Sequence, residues 1–262
     1  MPEGTFTPDP QSLLTYDWAF SKWLPVPRAW VSPDGRRYAY SEYAAAGGQA
    51  TSAVHIVDVA TGADRALRPP APSTPISFQN EGLYIGRAVL DSDSPPQGLG
   101  VLDPVAGDVR QIVSDGHWTL VAPPVAWGVD IDSSIAPPRG GGLGAGNRLR
   151  QLNLSGGTAV TALTLPGSSI ELIGLDGSGA PVVGVTEGST YRVAAFSAFA
   201  GLEEWFSGPI ADDNPAGPMA GAGARTWLSS GTSAVWEKSP GSPLRMIATV
   251  PLQHPAVGGV CR

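Results

Sequence analysis

Two aspartates one residue apart, Asp130 and Asp132 in GVDIDSS, are the best-placed acids in this chain for holding a hard cation. Alternate residues of a strand share a face, so this spacing aims both carboxylates the same way. A divalent cation needs several oxygen ligands to converge. Asp212, followed by Asp213 and Asn214, is the third candidate. Turn capping and simple solvation are the competing duties for all of them. No Asp-x-Asp-x-Asn-Gly loop of the EF-hand kind occurs.

Nucleophilic hydrolysis would need a Ser or Cys beside a base that a third group orients. The chain has three histidines, His55, His117 and His254. His55 in VHIVD reads as a strand residue, His117 in GHWTL as a crossover residue, and His254 as part of a loop before Pro255. No GxSxG elbow is present. The run RGGGLGAGNR, opening on Arg139, has the glycines of a phosphate loop but lacks the GxxxxGK[ST] and GxGxxG spacings. It also leads into the strand RLRQLNL, where anion binding at a helix N-terminus would need a helix. It reads as a long inter-strand loop. With DSDSPPQG (91–98) and EYAAAGGQATS (42–52) it makes three such loops on one rim, a natural contact surface.

Among the eight tryptophans, Trp30, Trp127 and Trp227 fall in or beside the hairpins that should pack innermost. Trp18, Trp23, Trp118, Trp205 and Trp236 fall in outer hairpins or crossovers, where an exposed ring would stack on a sugar or a peptide side chain. The candidate ligand-binding set is therefore Asp130, Asp132, Asp212, Trp127 and Arg139. The three aspartates would be the ligands if a metal were held. No catalytic residue is assigned, and no cofactor motif is present.

The elements that position these residues are legible from composition and repetition. With 34 Gly and 26 Pro the chain is punctuated every few residues, which excludes long helices, while 42% apolar residues exclude a disordered chain. Net charge is −7 and no basic run interleaves with aromatics, so nucleic acid is excluded as a partner. The single cysteine, Cys261, excludes an intrachain disulfide and a cysteine zinc site. No apolar run reaches the roughly 18 residues of a membrane span. The opening MPEGTFTPDPQS has neither the basic nor the apolar region of a signal peptide, which leaves a cytoplasmic protein or a mature domain whose signal or lipid anchor has been removed.

One arrangement recurs: an apolar alternating run, an Asp-like residue, a short turn closed by Gly, and a second run. It appears as VHIVDVATGADRAL (54–67), GLGVLDPVAGDVRQI (98–112), RLRQLNLSGGTAVTAL (148–163), RVAAFSAFAGLEEWF (192–206) and SAVWEKSPGSPLRMI (233–247). Alignment places Gly62, Gly107, Gly157, Gly201 and Gly241 in register, at intervals of 45, 50, 44 and 40 residues. The turn-opening residues are Asp58, Asp103, Asn153, Ser197 and Glu237. A sixth copy, LLTYDWAFSKWLPV (13–26), has Asp17 at that position and Ser21 in place of the glycine. Between copies lie further hairpins, WVSPDGRRYAY (30–40) the clearest of them. Two consecutive hairpins in about 45 residues are one blade of a β-propeller.

The segment SPDGRRYAY followed by VHIVDVATGADR resembles the WD40-like repeats of the TolB-type propeller family, closely over 28–67 and at the level of pattern beyond. That resemblance implies a propeller, commonly a non-enzymatic binding scaffold of the cell envelope, and carries over no catalytic residue. The expectation is an all-β protein: a linker at 1–11 and one propeller at 12–262. It should have six four-stranded blades, with five as the alternative. Pairing of the N-terminal hairpin with PAVGGVCR (255–262) would close the ring. The expected function is a monomeric scaffold for a protein or small-molecule ligand, extracytoplasmic and bacterial, with a cytoplasmic setting as alternative. The alternative function is a metal-dependent lactonase- or lyase-like enzyme.

Overall fold

The computed structural model describes residues 13–17, 19–46, 49–88, 96–135, 145–217, 219–222, 225–230 and 234–249. Among these there is no α-helix, only a 3-10 turn at Arg28–Trp30. The pairings β1–β2, β3–β4–β5, β6–β7–β8–β9, β10–β11, β14–β15–β16–β17 and β18–β19–β20–β21 (strands numbered in chain order, with ranges below) are antiparallel.

A two-stranded sheet comes first, β1 (Thr15–Asp17) with β2 (Lys22–Leu24). The second sheet runs β3 (Arg37–Ala46), β4 (Gln49–Asp58), β5 (Asp64–Leu67). The third is β6 (Ser73–Gln79), β7 (Gly82–Arg87), β8 (Gln97–Leu102), β9 (Val109–Val113). The fourth is β10 (Trp118–Ala122), β11 (Val125–Asp130), β12 (Arg148–Asn153), β13 (Ala159–Thr164). The fifth is β14 (Ser169–Leu175), β15 (Pro181–Glu187), β16 (Thr190–Ser197), β17 (Gly201–Pro209). The sixth is β18 (Met219–Ala222), β19 (Arg225–Ser229), β20 (Ala234–Lys238), β21 (Arg245–Thr249). In each four-stranded sheet, spatial order equals chain order, as expected of hairpin following hairpin.

The burial gradient across each sheet follows from the sequence. β7 (GLYIGR) and β15 (PVVGVTE) are near-continuous apolar runs, buried on both faces except at their last residues. The last strands β9 and β21 carry charged and polar residues and stay largely exposed. By contacts the chain divides into two compact units, 13–128 with 151–160, and 129–150 with 161 onward. The first holds a cluster on Leu99, Trp118 and Leu152, and another on Val54, Leu83 and Leu102. The second is built on Val182, Val193, Trp205 and Leu228. Each fully buried Val or Leu side chain contributes about 1.5–3 kcal/mol.

The aligned turns close as their residues dictate. Gly62, Gly107, Gly157, Gly201 and Gly241 all have φ between 63° and 85°, the left-handed region open to glycine. Ser21, aligned with them, is the non-glycine residue with positive φ (51°) among the described residues. Asp58 Oδ1 accepts from Thr61 N, and Asp103 Oδ1 from Val105 N and Ala106 N. Asn153 and Ser197 make the same bonds to the residues two and three onward. In the SPDG turn Asp34 Oδ1 accepts from Ser32 Oγ at 2.6 Å and from Arg36 N at 3.1 Å, while Ser32 Oγ accepts from Arg37 N.

Two expectations change. Residues 42–52 are not a loop: β3 and β4 continue in register from Arg37↔Asp58 to Ala46↔Gln49. Small residues that resemble linker composition here prolong a hairpin. The strand expected before the SPDG turn shrinks to one bridge, Val31↔Tyr38, because Pro33 and the turn follow at once. The N-terminal hairpin forms as expected, while its partner at 255–262 and the linker at 1–11 lie outside the described residues.

Candidate functional site

Asp130 ends β11, and Asp132 stands two residues later in the loop that follows. The two carboxylates do converge, on arginines. Arg148 Nε and Nη2 donate to Asp130 Oδ1 and Oδ2 at 2.6 and 2.9 Å, a bidentate pair. Arg148 Nη1 reaches Asp132 Oδ2 at 3.3 Å, and Arg150 Nη1 donates to Asp130 Oδ2 at 2.9 Å. Arg148 and Arg150 alternate along β12, so both guanidinium groups come from one face of that strand. All four side chains are about three-quarters buried.

The loop holding Asp132 is fixed by Asn147, which is fully buried. Asn147 Oδ1 accepts from Asp132 N at 2.7 Å, its Nδ2 donates to Asp132 O at 3.2 Å, and its own N donates to Asp130 O at 3.1 Å. Asp132 also caps a turn, accepting from Ser134 Oγ and N at 2.6 and 3.0 Å. The Ser134 bonds first, and then the Arg148 charge, hold the Asp132 carboxyl below the usual range. Arg148 is correspondingly raised by its bond to Asp130.

These contacts fix what the quartet can do. Both oxygens of Asp130 and both of Asp132 already accept hydrogen bonds, and the charges cancel two against two. The pair does not present a donor set to a divalent cation, which requires several unengaged oxygens. No group of three or more His, Cys, Asp or Glu among the described residues is arranged to hold a metal. Asp212 lies exposed in the turn after β17. Trp127 is buried in β11. Arg139 lies outside the described residues.

The histidines repeat the pattern. His55 Nδ1 lies 2.9 Å from Asp64 Oδ1, and its Nε2 lies 3.2 Å from Glu42 Oε2. Its ring stacks on Tyr40 at 4.5 Å, and Tyr40 Oη donates to Asp64 Oδ2 at 2.9 Å. That bond to Asp64 is the main cause of the Tyr40 hydroxyl being pushed up to about 12. An Asp–His dyad is present, but the nitrogen that would serve as base already faces a carboxylate and no nucleophile. His117 Nδ1 lies 3.2 Å from Pro96 O, and His254 lies outside the described residues. The outer tryptophans Trp118, Trp205 and Trp236 are buried, and Trp23 packs edge-on against Tyr16.

Sequence reasoning found Asp130 and Asp132 but not Arg148, Arg150 or Asn147. The signal lay in GNRLR, where two arginines alternate on a strand whose hairpin partner ends in Asp130.

No protein-family model and no curated protein matches the chain. Solved structures do. An oligogalacturonate lyase in complex with manganese aligns over 84% of this chain with a TM-score of 0.56 at 14% identity. TolB from Acinetobacter baumannii aligns over 86% at 0.53 and 14%. An oligogalacturonate lyase from Vibrio parahaemolyticus aligns over 84% at 0.52 and 13%. The chain shares their propeller fold. The TolB-type propeller expected from the SPDG repeat is thus borne out as a fold. The aligned region spans 63%, 54% and 64% of those proteins.

Proposed function

We propose that the chain is a non-catalytic propeller module that binds a protein or small-molecule ligand. The observation that carries this reading is that the residues with catalytic potential are engaged by one another. Asp130 is held by Arg148 and Arg150, and His55 sits between Asp64 and Glu42. The module works as a monomer outside the cytoplasm, in a bacterial envelope, in keeping with its TolB-like repeat and its single cysteine. Its blades number six, and the closing strand expected of residues 255–262 lies outside the described residues. The β3–β4 hairpin, with the half-exposed Tyr43, contributes to the binding rim.

The competing reading is a metal-dependent lyase- or lactonase-like enzyme using Asp130, Asp132 or Asp212. Manganese is the fitting probe, since one of the fold's lyases holds it. After chelation and dialysis, thermal denaturation is followed with and without millimolar manganese for the intact chain and for Asp130→Ala. The module reading expects no shift with metal in either protein, and a lower midpoint in Asp130→Ala, which takes Asp130 from Arg150 and leaves Arg148 with Asp132 alone. A manganese-induced rise that Asp130→Ala abolishes would overturn it in favour of the enzyme.

A further inference from the structure

In the unit containing β14 to β21, a groove of about 470 Å³ lies between the β14–β17 and β18–β21 sheets. Trp205, Lys238, Thr226, Glu203, Asp176 and Ser178 are among its lining residues. The cation among them is Lys238, only 9% exposed. A buried ammonium loses hydration and needs a close anion.

The partners of Lys238 are all at arm's length. Nζ lies 3.5 Å from Glu203 Oε1, 3.4 Å from Ser239 O and 5.4 Å from the Trp205 ring centroid. A charge-assisted bond draws its atoms to about 2.7–2.9 Å. The Glu203 side chain is 68% exposed, so its hold on the lysine is that of a surface pair, weak and displaceable. Asp176 is fixed at the groove by its own turn, with Oδ1 accepting from Ser178 N, Ser178 Oγ and Ala180 N. The lining thus offers one desolvated cation and two carboxylates.

A corresponding groove of about 370 Å³ in the other unit is lined by Asp34, Arg37, Glu81 and Asp103. There the cation, Arg37, is exposed. Burial of a cation is therefore a property of the β14–β21 groove and not of the blade architecture.

We infer that this groove binds a small zwitterion, such as an amino acid or short peptide, with its carboxylate on Lys238 in place of Glu203 and its ammonium group between Glu203 and Asp176. A simple dianion is disfavoured by the two lining carboxylates, and a simple cation by the lysine. The inference rests on the module reading only in taking the ligand to be held and not converted.

Glycylglycine is the probe, with acetyl-glycylglycine (no ammonium) and glycylglycine amide (no carboxylate) as controls. The reporter is the indole N–H resonance of Trp205, which has no hydrogen-bond partner among the described residues and is assigned with Trp205→Phe. Glycylglycine should shift it saturably, and each control should bind at least about tenfold more weakly. Lys238→Met, which keeps the packing on Trp205, should abolish the shift while the other indole resonances stay in place. If that variant does not fold, Lys238→Gln, which keeps a polar end but no charge, should weaken binding several-fold. An unmoved Trp205 resonance, equal binding of all three compounds, or undiminished binding by the variants would overturn the groove assignment and leave the module reading standing. Hydrolysis of the dipeptide would overturn the module reading instead.

Discussion

The turn after β4 and the turn after β20 occupy the same place in the repeat and are built in opposite ways. In the first, Asp58 is short enough to bond the backbone of its own turn, and Gly62 N donates to Asp58 O at 2.8 Å. In the second the residue is Glu237, one methylene longer and 2% exposed. It pairs across strands, with Arg245 at 2.8 Å and Arg225 at 3.7 Å. Asp17, Asp103, Asn153 and Ser197 follow the Asp58 scheme. The contrast teaches that the repeat position has one structural duty, capping, and that departure from a short polar residue there marks recruitment to another. The next residue after Glu237 is Lys238, the buried cation of the groove.

Three measurements bear on that contrast, the largest effect first. Gly35 and Gly62 share φ near +72°, so replacement by Ala costs each about 1–2 kcal/mol for the left-handed backbone. A Cβ on Gly62 meets nothing, whereas on Gly35 it would stand 2.6 Å from Oδ2 of the buried Asp17. Gly35→Ala should therefore cost about 3–4 kcal/mol, adding displacement of a hydrogen-bonded carboxylate. Equal denaturant midpoints for the two variants would mean that Asp17 is not seated under the SPDG turn.

Glu237→Gln comes next, at about 2 kcal/mol near neutral pH, the scale of a hydrogen bond to a charged group. The Arg245 bond, ahead of the Arg245 and Arg225 charges, holds the Glu237 carboxyl below the usual range. A carboxyl depressed on folding stabilises the protein above its ordinary value, near pH 4, and loses that contribution as pH falls through the depressed value. Intact protein and variant should thus converge in stability on acidification. A constant gap between their curves would show that Glu237 acts by packing alone. The smallest effect is Asn153→Ala, about 1 kcal/mol for a lost cap, and a loss as large as that of Glu237→Gln would erase the contrast.

The turns were the most readable part of the chain, because capping and positive φ are local demands written into single residues. Even Ser21 was identified as the stand-in for glycine. The charge quartet was half readable. The spacing of Asp130 and Asp132 predicted that they converge, but what they converge on lies 16 to 20 residues away, across a glycine-rich segment whose length hides the pairing. The β3–β4 hairpin reads as a loop because Ala, Gly and Ser carry little strand preference, and its register is imposed by the better strands below it. Burial of Trp118, Trp205 and Trp236 depends on packing between sheets, which no single repeat encodes.

Asn147 carries a different lesson. With one side-chain amide it meets both the N–H and the C=O of Asp132, as a neighbouring peptide unit would. The excursion between those two residues is therefore cinched at its base, and the entropy of closing it grows only slowly with its length. The protein thus carries a socket: a stretch of chain can be exchanged there for a longer or differently worded one while the sheet beneath stays in register, which makes it the place to graft a new binding loop.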